Sequence, residues 1–163
     1  MKKIILSLSI LLFITGNVFS AGSSGGDSES TKTKTNYEKA VAHIKVAKKH
    51  EKKGKLEKAN KRYAKAQGLL IKSNNKKPNN ADTLNYLGFT TRKLGDFENG
   101  EKYYLQGLAI DPNHKGINEY LGELYVATKR HNLAVERLEV LKGCKCEEYE
   151  QLKAVIAGQP SKY

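Results

Sequence analysis

Tyr86-Leu87-Gly88 returns as Tyr120-Leu121-Gly122, 34 positions further along a chain of 163 residues. Each copy is followed by a second apolar run. The first has Phe97, Tyr103, Tyr104 and Leu108; the second has Leu133, Ala134, Leu138 and Leu141. Two apolar stripes at helical spacing inside one period of that length predict stacked helix-turn-helix units. Such a unit cannot bury its apolar face alone, so neighbouring copies must stack to build a core. Stacks of this kind present surfaces to partners more often than they carry out chemistry.

Working outward from the repeat, the same pattern extends in both directions. Tyr37, Ala40, Val41, Ile44 and Ala47 predict a helix over 36–53, opened by a Thr35/Glu38 capping box and closed by Gly54. Leu56, Ala59, Tyr63, Ala66, Leu69 and Leu70 predict a second helix to about Ser73, broken by Asn74-Asn75-Lys76-Lys77-Pro78. A helix starting at Asn80 or Asp82 carries Leu84, Leu87, Gly88 and Leu94 and stops at Gly95; Asp96 caps the next, which stops at Asp111-Pro112. A third pair starts near Asn113, turns at 129–132 and ends near Lys142. A last amphipathic helix, 147–157, carries Tyr149, Leu152, Val155 and Ile156. Small residues recur where paired helices must approach closely. Gly88, Gly100 and Gly107 align with Gly122, Ala134 and Leu141, and Ala47, Ala59 and Ala66 take the matching places in the first pair. The first interval stretches from 34 to 41 because 72–78 adds residues.

The run from Leu84-Asn85-Tyr86-Leu87-Gly88 through Gly95-Asp96-Phe97, Tyr104 and Asp111-Pro112 resembles a tetratricopeptide repeat. Tyr120-Leu121-Gly122 through Tyr125 and Ala134 resembles it again, and the resemblance covers 36–142. Departures are Thr91 where an aromatic is usual, and Gly100 and Gly107 where alanine is usual. Each glycine costs about 1 kcal/mol relative to alanine in a helix interior. The resemblance implies an all-α, right-handed α-solenoid of about three units (36–78, 79–112 and 113–142) with 147–157 as a C-terminal capping helix. It implies a concave groove lined by the first helix of each unit. Gly143-Cys144-Lys145-Cys146-Glu147-Glu148-Tyr149 and the helix after it also resemble the end of exported bacterial tetratricopeptide proteins.

Tetratricopeptide domains that hold chaperone tails clamp a terminal carboxylate with Lys, Asn and Arg. The clamp positions here are Ile44 and Lys48, then Tyr86, then Gly116 and Tyr120, so apart from Lys48 the clamp is absent. The groove expected instead holds Lys48, Lys52, Asn85, Phe89, Arg92, Glu119 and Glu123. It is basic at one end and acidic at the other, with Phe89 as an apolar anchor. That pattern suits an extended peptide with one acidic and one basic end.

Charge is unevenly placed. Residues 36–78 hold 14 Lys or Arg and 3 Glu, a net of +11, whereas 79–163 hold 11 basic and 12 acidic residues, a net of −1. Sign asymmetry of this kind offers an alternative: an anionic surface or polymer of the cell envelope held by Lys45, Lys49, Lys53, Lys58, Lys61, Arg62 and Lys65. The plain alternative is a well-solvated helix pair.

No nucleophile elbow, phosphate loop or spaced metal motif is present, so no catalytic residue, cofactor or metal is assigned, and the chain is read as non-enzymatic. Cys144 and Cys146 are the only cysteines. They read as a structural disulfide, a redox-active or intermolecular pair, or two metal ligands without a third. His43 and His50 lie seven apart on one helix face and likewise lack a third ligand. The tyrosines read as repeat core, which argues against nucleic acid.

Lys2-Lys3, the apolar run Ile4 to Ile14, and the small residues Val18 and Ser20 read as a signal peptide (1–20) cleaved after Ser20. Eleven helical residues reach only about 16 Å, short of a bilayer core of about 30 Å. No cysteine lies near the cleavage point, which argues against a lipoprotein anchor. Residues 21–35 lack any large apolar side chain and read as a disordered linker to a 36–158 domain. The expectation is an exported scaffold, periplasmic or secreted, with a protein or peptide partner and no transmembrane segment in the mature chain.

Overall fold

A computed structural model describes residues 33–162; the expected signal peptide and most of the expected linker lie outside the described residues. Among the described residues the chain forms seven α-helices and no strand. They are α1 (Asn36–Glu51), α2 (Leu56–Lys76), α3 (Ala81–Lys93), α4 (Phe97–Ile110), α5 (Lys115–Ala127), α6 (His131–Leu141) and α7 (Glu147–Ile156). Consecutive helices pair as α1/α2, α3/α4 and α5/α6, adjacent pairs stack on one another, and α7 lies against α5 and α6. This is an all-α solenoid of three helix pairs plus one further helix. No helix among the described residues is long and apolar enough to cross a membrane.

The boundaries follow local chemistry. Thr35 and Glu38 form the reciprocal capping box at α1. Asn80 and Asp96 cap α3 and α4 through their side-chain oxygens, at 2.8 and 3.1 Å. α5 begins two residues later than expected. His114 is its cap, Nδ1 accepting from the Ile117 N–H at 3.1 Å, while the Asn113 N–H bonds Asp111. α2 runs past Asn74 and Asn75 to Lys76, where the sequence predicts a break near Ser73. Asparagine lowers helix propensity only slightly; Pro78 is what stops the helix, by excluding the helical conformation at Lys77, which sits at φ −140°.

Four helices end in the same way. Gly54, Gly95, Lys129 and Gly158 each take a positive φ, and the two N–H groups around the turn bond back into the helix. Positions 95 and 129 are one repeat apart, so a lysine occupies a left-handed site that glycine fills in the preceding unit.

The core runs through Ala40, Ile44, Ala47, Tyr63, Leu70, Leu87, Tyr104, Ile117, Leu121 and Leu124. The glycines mark its closest approaches. A Cβ on Gly88 would lie 2.5 Å from the Tyr104 ring, and one on Gly100 would lie 3.2 Å from the Gly88 carbonyl oxygen. The glycines that depart from the repeat pattern at 100 and 107 therefore sit where a methyl has no free space. Gly122, the repeat partner of Gly88, receives Leu152 of α7, again 2.5 Å from a would-be Cβ. The last helix thus fills the place that α4 fills one unit earlier.

Cys144 and Cys146 lie in the turn between α6 and α7 with Cα atoms 5.2 Å apart and sulfurs at bonding distance. Among the described residues no group of three or more His, Cys, Asp or Glu side chains is placed to hold a metal ion.

Candidate functional site

Lys48 of α1, Phe89 and Arg92 of α3 and Tyr120 and Glu123 of α5 meet on the face shared by the first helices of the three pairs. Lys48 Nζ stands 4.6 Å from the Phe89 ring centroid and 5.5 Å from that of Tyr120, and donates to the Tyr120 hydroxyl at 3.3 Å. The Arg92 guanidinium lies 5.8 Å from Phe89 and donates to Glu123 Oε2 at 2.9 Å. The two aromatic rings touch, with centroids 4.9 Å apart, and Tyr63 of α2 meets Phe89 edge-on from behind. Cations over paired rings are favourable where water is excluded.

Phe89 is fully buried, and Arg92, Glu119 and Glu123 are 9, 3 and 2% exposed. The apolar anchor expected at Phe89 is therefore part of the floor. Arg92 and Glu123 neutralise one another inside it. Burial of this pair is affordable only because each charge has a partner; removing either would strand the other. At the α1 side, Glu51 accepts from the Tyr63 hydroxyl at 2.7 Å and pairs with Lys93.

Glu119 and Lys48 titrate far from their usual ranges. Burial, then the neighbouring Glu123 and Glu148, push the Glu119 carboxyl up from 4.5 to about 8, against the pull of Lys48 and Arg92. Burial likewise lowers Lys48 from 10.5 to about 8, although Glu119 and Glu123 favour its charge.

The segment following α7 lies against this same face. Gly158, at φ +88°, reverses the chain; its N–H bonds Val155, and the Gln159 N–H bonds Ala154. Pro160 prevents any return to helix. Ser161 Oγ then donates to Glu123 Oε1 at 2.9 Å, and Lys162 Nζ pairs with Glu147. Lys48, Glu51, Lys52, Ser161 and Lys162 line one depression of about 250 Å³. Ser161 and Lys162 did not enter the sequence reading. The signal was there in Gly158 and Pro160, which stop a helix and redirect the chain, but not in which direction.

The seven expected groove residues divide. Lys48, Phe89, Arg92 and Glu123 are brought together at the centre. Lys52 lies exposed beside Lys48. Asn85 and Glu119 line a larger cavity of about 680 Å³ toward the starts of α3, α5 and α7. Of the expected anionic-surface residues, Lys45 and Lys49 are exposed along α1 and Lys53 in the turn after it. Lys58, Lys61, Arg62 and Lys65 join His50 around a depression of about 230 Å³. Arg62 reaches His43 Nδ1 at 3.2 Å. Partial burial, Arg62 and Lys65 all lower the pKa of His43.

No protein-family model and no curated protein matches the chain. Among solved structures, the Arabidopsis OM64 TPR domain is similar over 76% of this chain and 98% of that one, at 15% identity and TM-score 0.48. The first TPR of Spaghetti (RPAP3), bound to the HSP90 peptide SRMEEVD, is similar over 76% of this chain and 97% of that one, at 18% identity and TM-score 0.45. The Yersinia enterocolitica type III secretion translocator chaperone SycD is similar over 73% of this chain and 86% of that one, at 16% identity and TM-score 0.47. The peptide in the second belongs to that structure.

Proposed function

We propose that this protein is a non-enzymatic adaptor that holds an extended polypeptide segment against the face of α1, α3 and α5, and that it works in the periplasm after export. One observation carries the reading. The face already receives a non-helical segment in cis, with Ser161 bonded to Glu123 and Lys48 and Lys52 alongside. The side chains there pair with one another or offer hydrogen bonds at the rim, an arrangement suited to recognition rather than to a reacting centre.

The test is photo-crosslinking from position 52, with the adduct sequenced by mass spectrometry. A polypeptide adduct is expected, increased in the Ser161→Ala/Lys162→Ala variant, which loosens the occupant in cis. Equal capture from position 52 and from exposed Gln106 on α4 would sink the assignment of this face. Export is checked separately: the mature protein should begin at Ala21.

A second reading rests on the depression formed by His50, Lys58, Lys61, Arg62 and Lys65. It fits an anionic envelope surface. Sedimentation with anionic vesicles should then fall steeply between low and physiological salt, and binding indifferent to salt would exclude it.

A further inference from the structure

The cavity of about 680 Å³ at the far end of the face has a composition of its own. Asp82, Asp111, Glu119, Glu147 and Glu148 line it, against Lys115 and His114. His114 is already engaged: its Nδ1 accepts from the Ile117 N–H, and its Nε2 bonds Asp82 Oδ1 at 3.1 Å. The volume falls in the range of about 300–1,000 Å³ typical of ligand sites.

A row of carboxylates is ordinarily a solvated surface. What distinguishes this one is its interior. Asn85 and Glu119 line the cavity while being only 7 and 3% exposed, and Asn85 Oδ1 and Glu119 Oε1 have no hydrogen-bond partner. Buried acceptors without donors are uncommon and call for a donor from outside. Gly116 is part of the same construction. A Cβ there would lie 2.8 Å from Asn85 Nδ2 and would displace the amide from its present seat. A cation already stands at the rim: Lys162 of the segment following α7 pairs with Glu147.

We propose that this cavity binds a basic side chain, lysine or arginine, of the polypeptide held along the face, with Glu119, Asn85 and Glu148 accepting its N–H groups. The proposal rests on the adaptor reading and names one end of the segment that reading requires. The two unpartnered acceptors need donors, the acidic lining needs positive charge, and the long stem of either side chain allows the charged head to reach a recessed floor. An anionic group is excluded at this end by the same lining. The basic end of the face, at Lys48 and Lys52, would take the acidic part of the segment.

Glu119 makes the binding dependent on pH. The groups around it are Lys48 on α1, Arg92 on α3, Tyr104 on α4, Glu123 on α5 and Glu148 on α7. With its carboxyl pushed up to about 8, it holds a proton at neutral pH in the free protein. A cation in the cavity favours the ionised carboxylate, so binding releases a proton and tightens as pH rises toward 8.

The test is an NMR titration of the ¹⁵N-labelled full chain with acetyl-Gly-Ser-Arg-Ser-Gly-amide. The comparison peptide carries citrulline, the neutral isostere, in place of arginine. The arginine peptide should shift the amides of Asn85, Gly116 and Glu148 and bind about ten-fold more tightly than the citrulline peptide. Its affinity should rise from pH 6.5 to 8. Glu119→Gln should weaken it about ten-fold and abolish that pH dependence; Glu148→Gln, nearer the rim, should weaken it without unfolding risk. Equal binding of the two peptides overturns the proposal while leaving the face as a peptide site. Shifts confined to Lys48 and Lys52 do the same. Free arginine amide binding as tightly as the peptide overturns the polypeptide source. No shift anywhere on α1, α3 or α5 overturns both this proposal and the adaptor reading.

Discussion

Lys129 sits at φ +62°, one repeat after Gly95 at φ +95°. The left-handed region costs an L-residue with a Cβ about 1–2 kcal/mol, and glycine almost nothing. Lys129→Gly should therefore stabilise the protein by about 1 kcal/mol, read as a rise of a few degrees in thermal midpoint. Glu119 and Lys48 predict a second effect at this scale. Glu119 titrates at about 8 in the native state against 4.5 ordinarily. Between those values the unfolded chain gives up the proton while the folded chain keeps it, so stability falls as pH rises from 4.5 to 8. Lys48 does the opposite: its native pKa is lowered from 10.5 to about 8, so its penalty is relieved as pH rises from 8 to 10.5. Stability should pass through a minimum near pH 8. Denaturant melts across this range check it, and Glu119→Gln should remove the falling limb. Neither group looks unusual in the sequence, because desolvation depends on the neighbouring helices that cover it.

At the scale of elements, the small residues decide where helices touch. Gly122 admits Leu152, whose side chain is fully buried. A methyl at 122 would push Leu152 out of its seat, and overpacking of this kind costs about 1–3 kcal/mol. Gly122→Ala should lower the thermal midpoint, and hydrogen exchange should show the loss concentrated in α7. The repeat made Gly122 visible as the counterpart of Gly88, and the apolar stripe made α7 visible as a helix that caps the stack. That α7, rather than α6, fills the glycine's place was not legible. Leu138 stands at the repeat position of Tyr104, and only the packing shows that the contact has passed to another helix. Helix starts were legible where an Asn, Asp or Thr side chain supplied the cap. At α5, histidine took that role, a residue seldom read as a cap.

At the scale of the whole chain, the +11 of residues 36–78 and the −1 of 79–163 make one half of the protein self-repelling. Exposed like charges within a Debye length destabilise the compact state, and salt relieves them. The thermal midpoint should rise between low ionic strength and about 0.2 M salt. A midpoint that stayed flat would mean that Lys61–Glu57 and similar pairs already offset the repulsion. The same asymmetry appears on the face of α1, α3 and α5, as lysines beside α1 and carboxylates where α3, α5 and α7 begin.

The sequence alone determined the helices and their pairing, because these rest on local signals: apolar periodicity, caps, left-handed turns and proline. It also singled out Lys48, Phe89, Arg92, Glu119 and Glu123 as an expected set, since the repeat assigns equivalent positions to equivalent faces. The tertiary structure decided what those residues are. It buried Phe89, joined Arg92 to Glu123, raised the pKa of Glu119, left two acceptors without donors, and turned Ser161 and Lys162 back onto the face. Each of these depends on side chains tens of residues apart meeting where water is excluded. Distance and dielectric are properties of the packed chain, and no local pattern of residues carries them.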